Sequence, residues 1–144
     1  MKPSIPTVDS AIIINLPRVN DDCVLVIAEA KKHAPFDIQR VFFATSVPAG
    51  GMRGHHAHLQ CHQLLICPCG AVSVVITDGE SSRTITLDKP EKALHIPPGL
   101  WAEEIYRDPA TVLLVLCDRP YEPEDYIRDM TAYRAWRMRC KAGH

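Results

Sequence analysis

Between Gly70 and Leu87 the chain reads GAVSVVITDGESSRTITL, two alternating runs joined by Asp78-Gly79. In the first run Val72, Val74 and Ile76 fall on one side, and Ala71, Ser73, Val75 and Thr77 on the other. A period of two belongs to a half-buried strand, and Asp-Gly between two such runs predicts a β-hairpin. A hairpin buries one face only, so further strands must cover it. The sequence supplies them at CVLVIAEA (23–30), DIQRVFFATS (37–46), KALHIPP and LWAEEIY, the last two flanking a Pro-Pro-Gly corner. TVLLVLCD (111–118) is apolar throughout, the pattern of a central strand covered on both faces. Twelve scattered prolines suit short strands broken by turns. Only the segment DYIRDMTAYRAWRMRCK (125–141) has helical spacing, with Ile127, Met130, Tyr133 and Trp136 three to four apart. The expectation is an all-β jelly roll with a short C-terminal helix. The 144 residues form one domain, 1–144, with no linker or repeat. The basic residues Arg134, Arg137, Arg139 and Lys141 are read as cations favoured at a helix C-terminus.

Charge narrows the partners. A net charge of −1 offers no basic field for a phosphate backbone, so nucleic acid is not expected. No apolar run approaches the ~20 residues that span a bilayer, so no membrane association is expected. The first ten residues, MKPSIPTVDS, hold no apolar stretch of the signal-peptide kind, and the expected location is cytoplasmic. The six cysteines form no CxxC pair and are expected to be reduced, small core residues.

The chemistry concentrates in MRGHHAHLQCHQLLICPCG (52–70), where His55, His56, His58 and His62 occupy eight positions. On a strand His56 and His58 point to the same face, and in a jelly roll that face can be the interior. Leu59–His62 reads as a turn, Gln63 opens the next strand and Gly70 ends it. Two imidazoles facing one cavity suit proton transfer near neutral pH. Arg53 can hold a phosphate or a developing oxyanion. Gln63 can bond a hydroxyl or carbonyl, and Trp101 can offer a flat face to a sugar or base. His55 and His62 are expected to be peripheral. His33, His95 and His144 have no evident partner, and His95 is a second-rank candidate for the cavity.

The spacing G-x-H-x-H, four residues, Gln, six residues, Gly resembles the first cupin motif, and PPGLWA (97–102) resembles part of the second. Gln63 stands where that motif has an acidic metal ligand, and Ala102 where it has a histidine. Two imidazoles and an amide make a poor divalent-metal site, so neither metal nor other cofactor is expected.

More narrowly, RGHHAHLQCHQLLICPCGAVSVVITDG, ITLDKPEKALHIPPGLWAE and RPYEPEDYIRDM together resemble the sugar 3,4-ketoisomerase family, over about residues 37–133. The resemblance implies a metal-independent jelly-roll homodimer, often with an exchanged N-terminal strand. Its substrate would be a dTDP-linked sugar, dTDP-4-oxo-6-deoxyglucose, whose ketone moves from C4 to C3 through an enediolate. By motif position His58 would be the base at C3, His56 a proton donor or relay, Arg53 the substrate clamp, and Gln63 the contact to a sugar oxygen. The family carries a tyrosine on the strand before the histidines. Here that strand reads RVFFA, with Phe42 and Phe43. Two other functions fit the same residues: a nucleotide-sugar epimerase and a non-catalytic sugar-binding cupin.

Overall fold

The computed structural model describes residues 5–143; His144 lies outside them. Two five-stranded antiparallel sheets face each other as a jelly roll. The first runs β1 (Ile12–Asn15), β9 (Lys92–Ile96), β6 (Gln63–Cys69), β11 (Val112–Cys117), β4 (Arg40–Ala44). The second runs β12 (Tyr126–Ile127), β5 (Met52–His58), β10 (Trp101–Tyr106), β7 (Val72–Thr77), β8 (Ser82–Leu87). A small ribbon, β2 (Arg18–Asn20) with β3 (Val24–Val26), lies apart, and helix α1 (Met130–Lys141) closes the described chain.

The alternating pattern does the sorting. Val72, Val74 and Ile76 are fully buried between the sheets with Leu65, Leu94, Leu113 and Val115. The β7–β8 hairpin forms as its sequence predicts, in register from Val72 opposite Leu87 to Thr77 opposite Ser82. At the turn Asp78 accepts backbone N–H bonds from Glu80 and Ser81, the local reason Asp-Gly suits this position. β11 is an interior strand of its sheet, and Leu116 on its outer face joins a second apolar cluster with Leu16, Ala34, Leu64, Ile66 and Ala93.

Several expectations need correction. The strand read at 23–30 is only Val24–Val26, and Val24 and Leu25 are exposed because the ribbon packs one face of nothing larger. The strand read at 37–46 is Arg40–Ala44. Ile12–Asn15, without an alternating polar partner set, forms an edge strand that the sequence reading passed over. The helix begins at Met130, not Asp125: Asp129 caps it by accepting the Ala132 N–H at 2.8 Å, and the residues before it are a 3₁₀ turn and β12. Arg137 is not a free dipole cation. It is buried and donates to the carbonyls of Pro6 and Gly99. The cysteines are all free thiols, but only Cys61, Cys67 and Cys117 are buried. No helix among the described residues is long and apolar enough to cross a membrane.

Candidate active site

The site is built by one irregularity in β5. Ala102 pairs with His56, but the next residue, Glu103, pairs with Gly54, so His55 is an extra residue on β5. Gly54 (φ +91) and His55 (φ +56) both take left-handed backbone there. In a regular strand Arg53 and His56 would face opposite ways. The bulge inserts one residue between them and turns both inward, with His58 two further on. His55 is turned outward and meets Glu103 at 3.1 Å. A Cβ on Gly54 would lie 2.8 Å from the Ala102 carbonyl oxygen and 3.1 Å from Glu104 Oε2. Gly54→Ala is therefore expected to cost about 1–3 kcal/mol in denaturant unfolding, and to cut activity by more than that loss explains as Arg53 is re-aimed.

His56 and His58 meet edge to face with centroids 4.9 Å apart. The partners of their Nδ1 atoms are acceptors, which settles the tautomers. His56 Nδ1–H donates to the Gly54 carbonyl at 2.9 Å. His58 Nδ1–H donates to Asp125 Oδ2 at 2.8 Å. Both rings thus keep Nε2 as a bare lone pair, and His58 Nε2 is buried without a hydrogen-bond partner. Burial, then the neighbouring His58, lowers the His56 pKa to about 4. Burial also lowers His58, against the opposing pull of Asp125. Both imidazoles are neutral acceptors at neutral pH. Asp125 is pinned by a second bond, accepting the Gln60 N–H at 2.7 Å.

Glu104 stands on the same face of β10 as Ala102, opposite Arg53. Burial raises its pKa to about 7, against the opposing charge of Arg53. Arg53, His56, Gln63, Glu104 and Phe42 line a cavity of about 170 Å³, and His58 and Cys61 lie deeper with His56 and Gln63. Gln63 donates through Nε2 to the Cys117 sulfur at 3.7 Å, leaving its carbonyl oxygen to accept from a ligand. Phe42 and Phe43 both border this cavity, and Phe43 is 67% exposed. The phenol beside the imidazoles is Tyr126, with its ring 4.4 Å from His58 and 5.0 Å from His56. It entered from β12, across the site from β4.

The structure brings Arg53, His56, His58 and Gln63 together around this cavity. Trp101 does not join them. Odd-numbered positions of β10 face the helix, so its indole is 4% exposed against Ala57 and Tyr133, and its Nε1–H donates to Glu103 at 3.1 Å. His95 also leaves the cavity: it lies on the outer face of β9, stacked on His62 with Nε2 3.0 Å from that ring's Nδ1. His33 has a partner after all, accepting the Glu29 N–H in a turn. Asp125, Glu104 and Tyr126 were missed. DYIR had been read as the start of a helix, and inward-facing Glu104 follows from β10 alternation once Ala102 is placed inside.

The cupin ligand set is incomplete: Ala102 offers no donor, and Gln63 brings only a neutral amide oxygen where the motif has a carboxylate. A different trio, His58, Cys61 and Asp125, has potential donor atoms within 4.8 Å of one another. The Asp125–His58 contact there is a short hydrogen bond rather than a pair of free ligands.

Neutral imidazoles, one backed by a carboxylate, with an arginine and an amide around a small cavity, define a jelly-roll acid/base site of the proton-transfer kind. Comparison with known proteins gives that class a family. Residues 9–138 match the family described as FdtA: WxcM-like, C-terminal. A TDP-4-oxo-6-deoxy-alpha-D-glucose-3,4-oxoisomerase of Aneurinibacillus thermoaerophilus is 33% identical over 125 residues, 86% of this chain and 90% of that protein. The crystal structure of QdtA, a sugar 3,4-ketoisomerase from Thermoanaerobacterium thermosaccharolyticum in complex with TDP, is 33% identical, with a TM-score of 0.87 over 90% of this chain and 96% of that one. A 3,4-ketoisomerase from Helicobacter canadensis is 30% identical, with a TM-score of 0.86 over 89% and 97% of the two chains. The chain belongs to the FdtA, WxcM-like family.

The electrostatics predict a pH dependence of stability. The His56 pKa falls from 6.5 in a free side chain to about 4 when folded. Between those values the unfolded chain binds the proton and the folded chain does not, so this group's contribution is lost as pH falls from 6.5 toward 4. Glu104, raised to about 7, acts in the opposite sense and favours the folded state as pH falls toward 4.5. Urea unfolding of His56→Asn across this range is expected to flatten the acid loss by up to about 1 kcal/mol per pH unit, and Glu104→Gln to steepen it.

Proposed function

We propose that this protein is a sugar 3,4-ketoisomerase that moves the ketone of TDP-4-oxo-6-deoxyglucose from C4 to C3. The observation that carries this reading is the His56–His58 pair with both Nε2 atoms unprotonated, one ring backed by Asp125, in a family whose relatives bear that activity by name. The C4 ketone acidifies the C3–H bond. His58 takes that proton on Nε2, and Asp125 stabilises the imidazolium that forms. The resulting enediolate is held against the Arg53 guanidinium, which binds and polarises the substrate. His56 relays the proton that leaves O3 toward O4. Return of a proton to C4 completes the ketone at C3, with no net oxidation and no cofactor assigned. Gln63, through its carbonyl oxygen, fixes a sugar hydroxyl.

Substrate labelled with ¹³C at C4 tests this. Its carbonyl resonance should convert to a carbinol resonance on incubation with the protein. Retention of the C4 carbonyl signal would contradict the isomerisation. Arg53→Ala should raise KM about tenfold to a hundredfold, the value of one or two charge-assisted hydrogen bonds, with a smaller effect on kcat. An unchanged KM would remove Arg53 from the substrate.

The same reading includes a homodimer acting in the cytoplasm. Val41 and Phe43 are exposed on the outer face of the edge strand β4, and Ile12 on the N-terminal strand β1 is 49% exposed. Unpaired edges and apolar faces of this kind favour a second copy. Light scattering at the mass of two chains is the expected result. The free thiols suit a reducing compartment.

A further inference from the structure

One titratable side chain of the cavity takes no part in proton removal or relay. Glu104 lies on the inward face of β10 between Ala102 and Tyr106, opposite Arg53 of β5 and Val74 of β7. It lines the outer part of the cavity with Arg53 and the deep part with His58, and His56 and Gln63 border both parts with it. Among the described residues its carboxyl has neither a hydrogen bond nor an ion pair. Isomerisation needs a proton for C4, and few groups around this cavity hold one to give. The free Nε2 atoms of His56 and His58 are acceptors. The Gln63 amide is no acid, and an arginine does not deprotonate. The Cys61 thiol is turned onto the His62 carbonyl at 3.3 Å. Tyr106 is fully buried, which pushes its phenol up to about 12. Tyr126 borders a neighbouring hollow with Arg40, Phe42 and Tyr121, and burial raises its pKa too. Glu104 is left. Half-buried beside Val74 and Ala102, it keeps its proton up to about pH 7, burial outweighing the opposing pull of Arg53 and His55.

We propose that Glu104 is the general acid of the isomerisation and delivers the proton to C4 after His58 has taken the one at C3. Once the O3 proton has been relayed to O4, the intermediate carries O3⁻ and a C3=C4 double bond. The O3 electrons close the C3 carbonyl, the π pair takes the proton of the Glu104 carboxyl, and C4 becomes the carbinol. The Glu104 carboxylate then draws a proton from water, and the His58 imidazolium returns its own to water. Protons and charge balance, and C4 carries hydrogen from solvent. Arg53, across the strand pair, stabilises the carboxylate as it forms. The step rests on the ketoisomerase reading.

The test follows TDP-4-oxo-6-deoxyglucose by proton NMR in deuterated buffer with the parent, Glu104→Gln and Glu104→Asp, and TDP-glucose binding by calorimetry. Glu104→Gln should form the 3-oxo product about 10²- to 10³-fold more slowly. It should still replace the C3 hydrogen of the 4-oxo sugar with deuterium within tenfold of the parent's turnover, and bind TDP-glucose within threefold. Glu104→Asp, which keeps the acid, should recover at least tenfold over Glu104→Gln. In the parent kcat/KM should fall as pH rises through about 7, where Glu104 loses its proton, and Glu104→Gln should lack that limb. Product formed by Glu104→Gln within tenfold of the parent, a limb that persists in it, or C3 exchange or binding lost in step with turnover would overturn the proposal. A parent that forms no 3-oxo product would overturn the ketoisomerase reading itself, so the two failures are distinct.

Discussion

His58→Asn should lower kcat by about 10⁴-fold while TDP-sugar affinity stays within a few-fold. Asparagine keeps most of the volume and a hydrogen-bonding end but cannot accept a proton at the Nε2 position. That atom is buried and has no protein partner, so nothing in the fold depends on it. The ring's other nitrogen is bonded only to Asp125, at 2.8 Å. Removing the imidazole therefore costs catalysis far more than shape. Kinetics and calorimetry on the same preparation check this. A kcat within tenfold of the parent would remove His58 as the base.

Asp125→Asn should lower kcat about 10²- to 10³-fold, for a reason specific to its second bond. The Gln60 N–H, 2.7 Å from Oδ1, holds the carbonyl oxygen of an asparagine on that side. The amide nitrogen then faces His58 Nδ1 and donates to it. The proton moves to Nε2, and the base becomes a donor. The carboxylate raises the His58 pKa, so its loss should also shift the acid limb of kcat/KM to lower pH. A merely structural aspartate would move neither the limb nor the tautomer, which ¹⁵N chemical shifts of the ring report. An unshifted limb and a tautomer still protonated at Nδ1 would sink this role.

The fold was legible where alternation is strong, as in Val72, Val74 and Ile76, and the jelly roll followed from the number of such runs. It was less legible at Ile12–Asn15 and Tyr126–Ile127, where short edge strands depend on the partners they find. Of the site, the histidines could be read because two residues apart on a strand means one face. Arg53 was grouped with them by its adjacency and its chemistry, and the structure supplies the physical cause: left-handed backbone at Gly54 and His55 adds one residue to β5. No period-two rule gives Arg53 and His56 a common face without that bulge. Trp101 failed the opposite way. Its corner position suggested a ligand platform, but strand parity sends it beneath the helix. Asp125 lies 67 residues from His58, and only the closed topology brings them together.

The central claim is that this site takes a proton from C3 and returns a solvent-exchanged proton to C4. Proton NMR of TDP-4-oxo-6-deoxyglucose in deuterated buffer tests it most directly. A 3-oxo product carrying deuterium at C4, formed by the parent protein and not by His58→Asn, is the predicted result. Exchange at C3 with the ketone still at C4, or no exchange at all, would contradict the account.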